Sequence, residues 1–228
     1  MPQTKPQMIK TVIFDMDGVI VDTEPVHHHA YLQHFKELQI DVDDKMYSTF
    51  IGSSTKNIYT YIKEYFNLPQ AVGDLIVRKR ELFNAAFEGA THLKLIDGVE
   101  DLIKDLHKNG IQLLVASSSA YVTINAIFRK FSLDQYFSHK VSGEDFPQSK
   151  PNPAIFNKAV ELSGHQKNEC IIIEDSANGI KAAHAAEVFV IGYKGESLNQ
   201  DYSLADKVIS HFNEISFEEI QKINPVKI

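Results

Sequence analysis

Short apolar runs recur along the chain, with helical patterns between them. The runs Thr11–Asp15, Ile111–Ala116, His139–Ser142, Cys170–Glu174, Val188–Ile191 and Lys207–Ile209 predict strands. The first, second and fourth are continuously apolar, as strands covered on both faces require. One helical stretch starts near Gly98 and stops at Asn109-Gly110, a common C-terminal stop. Another opens at Asn152-Pro153, read as an N-cap followed by proline at the first helical position. Strand and helix in alternation predict an α/β fold: a doubly wound, mostly parallel sheet with helices on both faces.

Residues 24 to 92 break this rhythm. No strand pattern shows there, but Tyr31, Phe35 and Leu38 form one helical stripe, and Ile58, Tyr61, Ile62, Tyr65 and Phe66 form a second. A third helix runs through Leu75, Ile76, Leu82, Phe83 and Phe87. An insertion this long exceeds a simple connection after the first strand. It predicts a second, helical domain at 24–92 and a core assembled from 1–23 and 93–228.

Composition narrows the function classes. The 228 residues are 43% hydrophobic and 23% charged, an ordinary globular balance. Lys and Arg number 23 against 30 for Asp and Glu, a net charge of −7. That balance argues against nucleic-acid or anionic-membrane partners and leaves room for a local basic pocket, as a small phosphorylated metabolite needs. The single cysteine, Cys170, excludes an internal disulfide and reads as a buried residue beside Ile171-Ile172-Ile173. Residues 1–10 hold no apolar stretch long enough for a signal peptide or a membrane span, and 1–8 are expected to form a loose tail. A cytoplasmic monomer is the expectation.

In a doubly wound sheet, ligands bind beyond the carboxyl ends of the strands. The polar residues there are Asp15-Met16-Asp17-Gly18 after the first run, Ser117-Ser118-Ser119 after the second, Ser149-Lys150-Pro151 before the helix at Asn152, and Glu174-Asp175-Ser176 after the fourth. Clustered carboxylates repel one another and raise some of their pKa values unless a cation joins them. A hard divalent ion, Mg²⁺, answers this through Asp15, Asp175 and Glu174. Lys150 and the Ser117 hydroxyl suit phosphoryl oxygens, as do backbone N–H groups at a helix start. Metal and lysine together stabilise charge on a transferring phosphoryl group.

The segments "DMDGVIVDT", "ASSS", "SKPNPAIF" and "IEDSANGI", in this order, resemble the four signature segments of the haloacid dehalogenase-like superfamily. The resemblance spans nearly the whole chain and implies a Rossmann-like core with an inserted helical cap. It is nearest to the subgroup of β-phosphoglucomutase and the small sugar-phosphate phosphatases. It implies Asp15 as a nucleophile that becomes an aspartyl-phosphate, and Asp17 as general acid, then base. It also implies Ser117, Ser118 and Lys150 as phosphate binders. Mg²⁺ is then held by Asp15, Glu174, Asp175 and the backbone carbonyl of Asp17. The acid at Asp17 sets the chain apart from the dehalogenases and phosphonate hydrolases of the superfamily. Gly18 allows a tight turn beside the nucleophile, and Asp22-Thr23 supports the linker into the cap.

Cap residues are expected to set specificity. His27, His28 and His29 are consecutive on a helix, pointing about 100° apart, so they cannot converge on one ion. His28 and His29 read as helix surface. His27 matches a cap-hinge histidine of the mutase and is a candidate for closure or specificity. Gly52-Ser53-Ser54-Thr55-Lys56 fits the cap loop facing the active site, which makes Gly52 and Ser54 candidates. Mutases carry an arginine where Thr55 stands and a lysine where Ala120 stands; both cations grip a second phosphate. Lys56 or Lys79 are the residues that could replace them, although Lys79, inside Arg78-Lys79-Arg80, also reads as part of a solvated basic face. These features favour a phosphatase over a mutase.

Overall fold

The computed structural model describes residues 8–50, 53–91, 93–195 and 200–225. The expected loose tail, apart from Met8, lies outside them, as does Gly52. Six parallel strands form one sheet in the order β3-β2-β1-β4-β5-β6. They are β1 (Thr11–Phe14), β2 (Gln112–Ser117), β3 (Phe137–Ser142), β4 (Cys170–Glu174), β5 (Phe189–Tyr193) and β6 (Lys207–Ile209). Each lies within two residues of its expected bounds, and β4 and β6 match them. The second run starts and ends one residue late, which makes Ser117 the last strand residue.

Alternation along the strands builds two apolar layers. Val12, Phe14, Leu113, Val115, Ile171 and Ile173 point to one face, into a cluster shared with α5 (Val99–Lys108) and α6 (Tyr121–Lys130). Ile13, Leu114, Ala116, Ile172 and Val190 point to the other, against α7 (Ala154–Ser163) and α8 (Ala177–Ala185). Helix α7 starts one residue later than the sequence suggests. Pro153 takes the N-cap position, and Asn152 Oδ1 accepts from the Ala154 N–H at 3.0 Å. The proline, lacking an N–H, fits either place.

β1 lies between β2 and β4, so the strand order reverses around it. At such a point the crossovers diverge and leave a crevice at the carboxyl ends. Four helices, α1 (Glu24–Glu37), α2 (Asp44–Ser48), α3 (Thr55–Phe66) and α4 (Val72–Gly89), follow β1 and stand over that crevice. Their own apolar cluster includes Tyr31, Phe35, Tyr47, Tyr59, Ile62 and Leu75. The near ends of α1 and α4, through Val26, Ala30, Leu82 and Phe83, join the sheet's larger cluster instead.

The buried stripe of α3 differs from the expected one. Ile58, Tyr59 and Ile62 face inward, while Tyr61 and Tyr65 are exposed and stack on each other with centroids 5.6 Å apart. Buried Tyr59 is satisfied by His34 Nδ1, 2.6 Å from its hydroxyl, and that partner permits an inward tyrosine. A short helix, α9 (Phe217–Gln221), closes the carboxyl-terminal end against α5.

Candidate active site

The chain leaves β1 at Phe14 and turns at once. Gly18 has φ +86°, and its N–H donates to Val21 O at 2.9 Å. A side chain here would meet both the left-handed backbone and the Asp175 carboxylate, which packs against the missing Cβ. The turn sets Asp15 and Asp17 over the sheet edge, between Ser117 at the end of β2 and Glu174-Asp175 at the end of β4.

Lys150, on the loop before α7, enters from the side and is 3% exposed. Its ammonium reaches Asp15 Oδ1 at 2.5 Å, Glu174 Oε1 at 2.8 Å and Ala116 O at 3.2 Å. All three of its donors are used. Burial alone lowers a lysine pKa, but Asp15 and Glu174 outweigh it and hold Lys150 charged. The second Glu174 oxygen accepts from the Ser176 N–H at 2.6 Å and the Ser176 hydroxyl at 3.0 Å. Ser176 in turn caps α8 by accepting from Gly179 N. Glu174 lies where a Cβ on Gly179 would fall, so the first turn of α8 needs that glycine.

Asp175 differs from Glu174. Among the described residues no side-chain donor reaches its carboxylate, and burial with Glu174 and Asp15 alongside pushes its pKa well up. Burial pushes Asp15 up to about 7, with Lys150 pulling down and Glu174 and Asp17 pushing up. Oxygens of Asp15, Glu174 and Asp175 lie within 4.8 Å of one another. One ammonium faces three carboxylates. The donor set is all oxygen, largely buried and short of positive charge, which fits a hard divalent cation.

Asp17 turns its side chain away from that cluster. Oδ1 accepts from Thr23, and Oδ2 from Ser119 at 2.9 Å and Ser117 at 3.1 Å. Burial alone would raise this carboxyl, yet His27, Thr23 and Ser119 hold it at about 2. The Ser117 hydroxyl is fully buried and also accepts from the Ser119 N–H at 3.0 Å. Ser118 lines the cavity beside them.

On the helical side, His27 Nε2 faces Asp17 Oδ1 at 3.6 Å, and its Nδ1 lies 2.6 Å from Lys79 Nζ. Lys79 is buried against the Tyr31 and Phe83 rings, so its place on a solvated face is corrected. A helix turns about 100° per residue, so Arg78 and Arg80 point out while the residue between them points in. His28 packs on Tyr47 and His29 is exposed. Ser54 caps α3 and accepts from the Ser149 hydroxyl at 2.8 Å, bridging cap loop and core. Lys56 lines a second cavity of about 380 Å³ beside His27 and Lys79.

The main cavity, about 490 Å³, runs from Asp15 up to Tyr31, Tyr47, Phe50 and Ile58. Two of its residues escape the sequence reading as contributors: Ser119, which holds Asp17, and Glu24, whose carboxylate accepts from Tyr47 at 2.9 Å; buried Thr23, behind the cavity, holds Asp17 as well. Ser119 stands in the quoted serine run, and that was its only available signal.

Known proteins resemble this chain in sequence and fold. A family profile described as haloacid dehalogenase-like hydrolase matches residues 12–193. A CBBY-like protein of Arabidopsis thaliana is 32% identical over 86% of this chain and 67% of its own. Hexitol phosphatase B of Escherichia coli is 26% identical over 94% of this chain and 98% of its own. The crystal structure of β-phosphoglucomutase from Clostridium difficile superposes with a TM-score of 0.83 at 26% identity, covering 94% of this chain and 96% of that one.

Proposed function

The chain belongs to the haloacid dehalogenase-like hydrolase family and is an enzyme of the phosphatase kind; we propose that it hydrolyses a small phosphorylated metabolite, a sugar phosphate, through an aspartyl-phosphate on Asp15. The observation that carries this reading is the meeting of Asp15, Asp17, Ser117, Lys150 and Asp175 beneath one cavity. Residues 24–92 act as a cap over a core of 1–23 and 93–228. The cavity between them encloses the leaving group.

Lys150 orients Asp15, through the bond at 2.5 Å, and draws its carboxylate toward the ionised, nucleophilic form. Phosphoryl oxygens take donors from Lys150, Ser117 and Ser118, the first two of which must exchange present partners for the substrate. Asp15, Asp175 and the Asp17 carbonyl would hold Mg²⁺, with Glu174 adding its charge. When bound, the ion would neutralise charge on the transferring phosphoryl group. Asp17 protonates the leaving oxygen and later takes a proton from the attacking water. Turned toward the substrate, it loses Thr23 and Ser119 as donors and takes up a proton more readily. His27, with Lys79 behind it, holds the turned-away position.

The likeness to β-phosphoglucomutase favours a mutase as second reading. Thr55 and Ala120 stand against it, since neither brings a cation for a second phosphate. Release of inorganic phosphate from a panel of sugar and polyol phosphates, with and without Mg²⁺, separates the two. Mg²⁺-dependent release supports the phosphatase. Isomerisation of β-glucose 1-phosphate without release supports the mutase.

A further inference from the structure

The candidate chemistry comes from segments after β1, after β2, before α7 and after β4. β3 lies beside β2 and supplies none of them. Its last residue nevertheless reaches toward the site. Ser142 is fully buried and pairs in register with Ser117, the last residue of β2. The Ser142 hydroxyl accepts from the Glu144 N–H at 3.2 Å, an ordinary cap on the short turn Gly143–Asp145. Such a cap uses only a lone pair. The hydroxyl's proton goes the other way, to Ser119 O at 2.8 Å.

That bond holds the next ones in place. The Ser119 N–H donates to Ser117 Oγ at 3.0 Å. With that lone pair taken, the Ser117 hydroxyl is turned to donate its own proton, at rest to Asp17 Oδ2 at 3.1 Å. Gly143 touches the same turn from the backbone side. A Cβ on it would lie 3.0 Å from Ser118 Cα and 3.4 Å from Ser118 O, so main chain packs on main chain there. The Ser117–Ser119 turn is thus gripped by one hydrogen bond and one close contact, both from the end of β3. Donors aimed before the substrate arrives cost no reorganisation during transfer.

We propose that Ser142 is a positioning residue of the phosphoryl pocket: it pins the Ser117–Ser119 turn from the neighbouring strand, so that Ser117 and Ser118 face the phosphoryl oxygens before substrate binds. This rests on the phosphatase reading and adds to it a residue outside the four segments. Ser142 does not itself line the main cavity and acts through the turn. The carboxylates of Asp15, Glu174 and Asp175 stand at the ends of β1 and β4, two and three strands away, roughly 10–14 Å by strand spacing. Loss of Ser142 should therefore weaken phosphate binding and spare Mg²⁺ binding.

The test is calorimetric titration of Mg²⁺ into the free protein, and of inorganic phosphate into the Mg²⁺-loaded protein, for the parent and Ser142→Ala. Phosphate affinity is expected to fall by about fivefold or more, as loss of one buried hydrogen bond implies. Mg²⁺ affinity is expected to stay within about twofold, as for sites without shared partners. The kcat/KM for a sugar monophosphate is expected to fall by at least as much as the phosphate affinity. Gly143→Ala keeps the donor and presses a methyl group on the turn; the same pattern is expected of it, and it decides the matter should Ser142→Ala not fold. Unchanged phosphate affinity in the deciding variant overturns the proposal. Equal weakening of phosphate and Mg²⁺ also overturns it, since that marks a general loosening of the fold. A parent that releases no phosphate from any substrate overturns the phosphatase reading instead.

Discussion

Lys79 Nζ and His27 Nδ1 lie 2.6 Å apart where α4 meets α1. A lysine donating to Nδ1 leaves the proton of neutral His27 on Nε2, which faces the Asp17 carboxylate. Burial and Lys79 keep the imidazole pKa below its usual value, against the pull of Asp17, so the neutral ring is the resting form. The pair thus fixes a tautomer that points an N–H at the Asp17 carboxylate.

Removing Lys79 is therefore expected to affect both pH behaviour and turnover. Burial pushes its amine down to about 7 from 10.5. Below the lower value it is charged in folded and unfolded chains alike, and charge burial weakens the fold fully. Between the two values the unfolded chain keeps a proton that the folded chain has released, so stability rises with pH. Lys79→Met is expected to lose this rise and to exceed the parent in stability at about pH 6, with the gap narrowing at about pH 9. Urea melts at the two pH values check it. Turnover should fall by about tenfold or more as His27 loses its tautomer.

Gly179 gives a second prediction. A methyl group there overlaps the Glu174 carboxylate, which holds Lys150 and caps α8 through Ser176. Gly179→Ala is expected to destabilise by about 1–3 kcal/mol, the usual cost of overpacking, and to weaken Mg²⁺ binding. Thermal melts with and without Mg²⁺ check both parts. An equal melting shift from the ion in parent and variant would show ion binding to be independent of where the Glu174 carboxylate is held.

Cap and core also meet through an exposed ion pair between Arg80 and Glu144, and through Ser54 with Ser149. The ion pair is more than a third exposed, so its worth is small, about 0–1 kcal/mol. Glu144→Ala is expected to favour the open cap slightly, raising KM by a factor of up to about five without lowering kcat. Steady-state kinetics at low and high salt check it, because salt should erase the difference.

The fold and the signature residues were legible because their determinants are local. Continuous apolar runs such as Ile171-Ile172-Ile173 mark covered strands, and the polar residue ending each run must sit at the sheet's edge. The helical segment was less legible, since its burial depends on which neighbour each face meets. Lys79 is indistinguishable in sequence from its flanking arginines, yet helix phase and the His27 ring bring it inside. Tyr59 and Tyr61 look equivalent two positions apart, and only His34 across the interface decides which is buried. Glu24 and Thr23 adjoin the linker, and nothing local says that they face Asp17 and the cavity.

Asp15 is proposed to carry the phosphoryl group. The direct measurement is rapid quench of the enzyme with substrate and Mg²⁺, followed by borohydride reduction and peptide mass analysis. Homoserine is expected at position 15 in the parent and none in Asp15→Asn, with turnover in that variant lower by at least about a thousandfold. Phosphate release persisting in Asp15→Asn, or the trapped group appearing at another residue, would contradict it.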